Sequence, residues 1–175
     1  KNIKYHTERK NENIKKYLKA LDMKCEYYTH MLAPDSKSLM NSLRAEDVDL
    51  SSMVLLKTVI LQCKNLKDSS ESNWVYAILP YDKEVVFDQT KYELVPEKSI
   101  LKKFNQGIIS PLTVFEEASN DLKQKSNIYI LNKDRINTKY VIMRSESNHE
   151  SIRMKCEDFY CIAEKVGSRM ESIIE

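Results

Sequence analysis

Glycine is nearly absent from this chain: Gly107 and Gly167 are the only two among 175 residues. Glycine tolerates positive φ and close approach of another molecule at a cost in chain entropy, so a sequence this sparing keeps one where nothing else fits. Long apolar runs are absent as well. No stretch of about 18 apolar residues exists, which excludes a membrane-spanning helix of ordinary length, and the opening residues do not read as a secretory signal. The four cysteines, Cys25, Cys63, Cys156 and Cys161, form no C-x-x-C pair and no zinc spacing with His6, His30 or His149. They read as reduced packing residues of a cytoplasmic protein. A Cys–His nucleophilic pair such as Cys63 with His149 is the competing reading, with nothing local behind it. A formal net charge of +2 neither demands nor excludes a nucleic-acid partner.

What is present is an ordinary soluble balance, 42% hydrophobic and 31% charged, with length enough for one domain and a proper core. The chain opens on Lys1 rather than Met, as expected of a domain excised from a longer protein.

Gly107 falls four residues before Pro111, inside Asn105-Gln106-Gly107-Ile108-Ile109-Ser110-Pro111-Leu112. Pro111 fixes its own φ and biases Ser110 towards an extended conformation. The stretch reads as a rigid loop with several free backbone N–H groups, or as a plain turn between two elements.

Around it the periodicity sets out an α+β chain. Residues 8–21 place Ile14, Tyr17, Leu18 and Leu21 at helical spacing. Residues 25–31 are β-prone, and Pro34-Asp35-Ser36 looks like a helix start, with Leu39, Met40 and Leu43 on one face. Residues 53–63 read as a strand apolar on both faces with Lys57-Thr58 at its middle. A lysine there is costly unless something compensates its charge. It either snorkels from an edge strand or points into a cavity that an anion or polar substrate enters. Thr58 offers a hydroxyl on the opposite face. Residues 64–73 read as a polar connection and 74–79 as a second buried strand. Residues 85–94 are ambiguous between strand and helix, and 96–104 form a short helix into the Gly107 loop. Residues 113–124 suggest a helical turn. Strands follow at 127–131, 139–144 and 151–155, with His149 in a polar turn between the last two. From Glu157 on, Phe159, Ile162, Val166, Met170 and Ile173 keep helical spacing, with acids in the first turn favouring the helix dipole. The expected fold is five to seven strands in a mixed sheet with peripheral helices.

The Leu56-Lys57-Thr58 strand, the W-V-Y-A-I-L-P strand from Trp74 and the G-x-x-S-P-L loop from Gly107 occur in the order and spacing of a known family. The chain resembles the YbaK-like aminoacyl-tRNA deacylases, which include the editing domain of prolyl-tRNA synthetases, over residues 25–161. The resemblance implies a mixed, curved, partly barrelled sheet flanked by helices. It implies a single editing domain over 1–175, with an N-terminal helix within 1–22 and a C-terminal helix over 157–175 leading to the rest of a parent chain. The implied activity is hydrolysis of the ester between an amino acid and the 3′ end of tRNA, with that tRNA and a parent synthetase catalytic domain as partners and no membrane. No metal, cofactor or protein nucleophile is implied, ATP belonging only to the synthetase part of such a parent. Lys57 matches a lysine needed for activity, near the terminal nucleotide and the ester. Gly107, Ile108, Ile109, Ser110 and Pro111 match a loop whose amides line the reacting carbonyl, where preorganised donors are worth ~3 kcal/mol each. A ribose hydroxyl of the terminal adenosine helps activate the water. Tyr28 matches a tyrosine lining the pocket, and Thr58 joins it as a candidate substrate contact.

On the sequence alone, His149 is a solvated histidine. In the family a histidine nine residues before an acidic position discriminates alanine, and His149 stands nine before Asp158. The pocket would then accept alanine and exclude proline by size, with cysteine as the competing substrate. Gln106 stands where bacterial members often carry a second glycine, and Ser145-Glu146-Ser147-Asn148 where they use glycines, which puts the fine shape of the pocket in doubt. Three other functions stay open. One is a free-standing deacylase acting in trans, and a second is a silent module that binds tRNA or protein. The third is a general RNA-binding domain, to which the basic stripe Lys10, Lys15, Lys16 and Lys19 would contribute.

Overall fold

A strand apolar on both faces has to be buried on both, and residues 53–63 are the central strand of the molecule. The computed structural model describes residues 13–33, 35–64, 74–106, 109–120, 127–131 and 135–168. Its elements run α1 (Asn13–Ala20), β1 (Glu26–Thr29), α2 (Ser36–Ala45), β2 (Met53–Cys63), β3 (Trp74–Pro80), β4 (Tyr92–Leu94), α3 (Glu97–Phe104), α4 (Pro111–Asn120), β5 (Ile128–Ile130), β6 (Tyr140–Arg144), β7 (Glu150–Lys155) and α5 (Cys156–Lys165). The strands pair in the order β1-β7-β6-β2-β3-β5, with β4 added to β2. The sheet is mixed: β2 runs parallel to β6 and β3 parallel to β5, while the other pairs are antiparallel. The path is open, ending at β1 and β5, so the expected partial barrel is not closed.

The alternation of β2 and β6 divides the core. Leu56, Ile60, Val141 and Met143 face the larger cluster, roofed by Ile14 and Leu18 of α1, Leu112 and Phe115 of α4, and Phe159 and Ile162 of α5. Met53, Leu55 and Ile142 face a smaller cluster covered by Leu39 and Leu43 of α2. β3 is buried at every residue.

A chain with so little glycine ends its helices with other residues. Asp22 (φ 55°), Asp47 (φ 57°) and Asn105 (φ 59°) take the left-handed conformation after α1, α2 and α3, a place where Asn and Asp are the usual substitutes for glycine. Gly167 (φ 74°) does the same after α5. The C-terminal helix therefore stops at Lys165, short of the expected extent to 175. Met170 and Ile173 lie outside the described residues, as do residues 1–12 and most of the 64–73 connection. Where a helical turn was expected after Pro111, a ten-residue helix stands. Pro111 opens it, at the position where a missing N–H costs nothing. The ambiguous 85–94 stretch is irregular except for the three residues of β4 and a bridge residue at Val85.

Candidate active site

β2 is flanked by β3 along residues 56–62. On its other flank it meets β6 only at residues 53–55 and β4 only at residues 61–63. Among the described residues, 56–59 have no strand on that side. A narrow cleft of about 10 Å³, room for a single water, lies at this gap, lined by Ser36 and Leu39 of α2, Leu55, Leu56 and Lys57 of β2, Ile109, Ser110 and Pro111, and Arg144 at the end of β6.

Lys57 is half-buried on a central strand, not an edge, so its side chain belongs to the cleft. Burial pushes its ammonium below the ordinary lysine value, and Glu84 and Asp82 on the loop after β3 pull it part of the way back. Opposite it the chain enters α4. The Ser110 hydroxyl accepts from the Leu112 N–H at 3.2 Å, and the Ser110 carbonyl accepts from Thr113 at 3.0 Å and Val114 at 3.4 Å. The first turn of α4 is thus satisfied by Ser110, and the helix begins at Pro111, inside the stretch 105–112 read as a loop or turn. The backbone N–H groups of Ile109 and Ser110 donate to nothing among the described residues. These two donors stand at the positive end of a helix, beside the cleft. Gly107 and Ile108 lie outside the described residues.

Arg144 is the lining residue that the sequence did not announce. It is 6% exposed. Its guanidinium donates to the Ala33 carbonyl, to the Asp35 carbonyl at 2.7 Å and to Asn148 Oδ1 at 3.2 Å. Burial lowers its pKa, with Asp35 opposing. A basic residue closing an apolar strand, as in Tyr-Val-Ile-Met-Arg, was the available signal, but its neighbour Lys57 could be known only from the pairing of β6 with β2.

The other candidates are placed elsewhere. Thr58 lies on the face of Leu56 and Ile60, away from Lys57, and its hydroxyl is buried with no partner among the described residues. Tyr28, on edge strand β1, packs against the smaller cluster and donates its hydroxyl to Glu26 Oε2 at 2.9 Å. His149 is exposed in the β6–β7 turn, where its carbonyl accepts from the His30 N–H at 2.9 Å. It adjoins Asn148 but does not line the cleft. The buried histidine is His30, with Nδ1 at 2.8 Å from the Met31 carbonyl and Nε2 at 2.8 Å from the Ser151 hydroxyl. A carbonyl only accepts, so Nδ1 carries a proton. Lys15, Lys16 and Lys19 are all surface positions of α1, and Lys15 is paired with Glu150 at 3.0 Å. All four cysteines are free. Among the described residues no group of three or more His, Cys, Asp or Glu could hold a metal, and no helix is long and apolar enough to cross a membrane.

No family model matches the sequence, and no curated protein matches it. Solved structures do. Hypothetical protein APE2540 is similar at TM-score 0.58 and 13% identity, over 90% of this chain and 98% of that one. A scaffold protein from computational epitope grafting is similar at TM-score 0.56 and 9% identity, over 94% and 96%. At such identities the likeness is one of fold alone: an α+β domain on a mixed seven-stranded sheet flanked by helices.

Proposed function

We propose that this domain hydrolyses the ester linking an amino acid to the 3′ end of a tRNA, with alanyl-tRNA(Pro) as substrate and a proline–tRNA ligase as its parent chain. The observation that carries the reading is the convergence of Lys57 with Ile109, Ser110 and Pro111 on one cleft, from segments about fifty residues apart in sequence. The donors suit ester hydrolysis. As water adds to the carbonyl, negative charge builds on its oxygen, and the Ile109 and Ser110 amides at the head of α4, which donate to nothing among the described residues, are fixed dipoles that would receive it. Collapse of the tetrahedral adduct breaks the bond to the ribose oxygen, which takes up a proton, and the amino acid leaves. The Lys57 ammonium offers a cation to the terminal nucleotide beside the ester.

A protein nucleophile fits the cleft poorly. The Ser110 hydroxyl is engaged with the Leu112 N–H, and among the described residues no His, Asp or Glu lines the cleft to act as its base. Attack by water, with its proton relayed through a hydroxyl of the substrate's own ribose to the departing ribose oxygen, needs neither. On this reading the pocket admits a small aminoacyl group such as alanine and excludes the larger proline ring by size.

The test is hydrolysis of alanyl-tRNA(Pro) by the domain, with prolyl-tRNA(Pro) and cysteinyl-tRNA as controls. Selective release of alanine supports the reading. Release of cysteine alone moves the substrate assignment, and hydrolysis of no ester by the folded domain overturns the enzymatic reading and leaves a silent binding module.

A further inference from the structure

We propose that Arg144 is a positioning residue that sets the width of the cleft and hence its selectivity for small aminoacyl groups; this rests on the hydrolase reading above. Arg144 ties three segments together. It sits on β6, one Nη reaches the Ala33 carbonyl and Asn148 Oδ1, and the other reaches the Asp35 carbonyl. Asp35 is the N-cap of α2, with Oδ1 accepting from the Ser38 N–H at 2.7 Å. The first residues of α2 therefore hang from the guanidinium, and Ser36 and Leu39 of that helix are a wall of the cleft. Asn148 belongs to the β6–β7 turn. That turn is joined to the same segment by two backbone bonds, Ala33 N–H to the Asn148 carbonyl at 3.1 Å and His30 N–H to the His149 carbonyl at 2.9 Å.

The chemistry of arginine suits this task. A buried charge costs free energy that neutral carbonyls repay only in part, so packing alone would favour an apolar residue here. The planar guanidinium, however, presents donors in a fixed fork, which lysine's single ammonium cannot reproduce. No carboxylate forms an ion pair with Arg144 among the described residues. Two of its acceptors are backbone carbonyls at the α2 entry and the third is the Asn148 side chain in the turn, so its bonds tie those two segments together. A wall held this way keeps its distance from Lys57 and Ser110, and that distance decides which side chain fits.

The test compares Arg144→Lys and Asn148→Ala with the wild-type domain. Two quantities are read: hydrogen exchange at the Ala33 and His30 amides, and the ratio of kcat/KM for alanyl- over prolyl-tRNA(Pro). The expected result for a folded Arg144→Lys is exchange faster by about tenfold or more at both amides. The alanine preference should fall by about tenfold, with kcat for alanyl-tRNA changed much less. Asn148→Ala, which removes one half-exposed acceptor, should move both readouts the same way by less, and it decides the matter if Arg144→Lys does not fold. Unchanged exchange in a folded variant overturns the clamp. Faster exchange with an unchanged ratio overturns the selectivity role and leaves Arg144 structural. If the wild type cleaves no ester, the hydrolase reading fails and takes selectivity with it, while exchange alone still decides whether the clamp exists.

Discussion

Lys57 and Arg144 stand at matching positions of two parallel strands, each two residues past the last paired residues, Leu55 of β2 and Ile142 of β6. Side chains alternate along a strand, so both cations share the face of Leu55 and Ile142. They meet where the strands part company, and the cleft occupies the space so opened. The two are not equivalent. Arg144 spends its donors on two backbone carbonyls and the Asn148 side chain, whereas Lys57 has only the field of Glu84 and Asp82 against its burial.

That difference predicts opposite effects on activity and stability when Lys57 is removed. Burial lowers its pKa in the folded state, so folding disfavours the proton and stability rises as pH climbs through the folded pKa. At neutral pH the charged lysine is a burden. Lys57→Met should raise the melting temperature slightly while lowering deacylation by about a hundredfold or more, the range for losing one preorganised electrostatic group. Thermal melts and single-turnover hydrolysis at pH 7 check it. A variant of unchanged activity would remove Lys57 from the site.

Thr58 gives a cleaner separation of structure from function. Its buried hydroxyl has no partner among the described residues, and it lies across β2 from the cleft. Valine has nearly its shape and leaves no orphaned donor. Thr58→Val should stabilise the domain by ~1 kcal/mol, the low end of the cost of an unsatisfied buried group, and leave hydrolysis unchanged. A fall in kcat/KM without a loss of stability would return Thr58 to the substrate site.

The helix ends offer a third measurement. Asp47 closes α2 at φ 57°, and its N–H donates to the Arg44 carbonyl at 3.0 Å. Glycine takes that conformation without a Cβ penalty but gives up more freedom on folding. The balance should favour Asp47→Gly by up to ~1 kcal/mol, as compatible helix-end changes commonly do. Denaturant midpoints of the two proteins decide it.

Much of this architecture was legible because period and burial agree. The strand over residues 53–63 is apolar on both faces and is central, and residues 74–79 are apolar throughout and fully buried. The α4 helix was hidden because its acids and polar residues break the apolar stripe of Leu112, Val114, Phe115 and Ala118. The meaning of Pro111 as a helix start was the signal overlooked. Arg144 and the openness of the sheet were beyond reach for another reason. Both depend on which strands pair, and β2 meets β6 across some 80 residues of intervening chain. His149 was singled out through the family resemblance, by its place nine residues before Asp158; it is exposed in the β6–β7 turn, whereas His30 nearby is buried.

Glu146 couples the N-terminal helix to the stretch that leads into the site, and it does so through a group out of its usual titration range. Its Oε1 accepts from the Ile14 N–H at 2.7 Å at the start of α1, and its carbonyl accepts from the Gln106 side chain. Burial raises its pKa, with Glu116 adding to it, and outweighs the lowering by the Ile14 and Asn13 N–H groups. A carboxyl whose folded pKa is raised binds its proton more tightly in the folded state. Its contribution is therefore full below the unfolded value of about 4.3 and is lost as pH rises through the folded one. Glu146→Gln keeps an acceptor oxygen and cannot ionise, so its melting temperature should match the wild type near pH 4 and exceed it by pH 8. Glu146→Ala, which leaves the α1 amides without their cap, should melt lower at every pH. If Glu146→Gln is instead the less stable protein at pH 8, the ionised carboxylate at the helix N-terminus outweighs the cost of burying it.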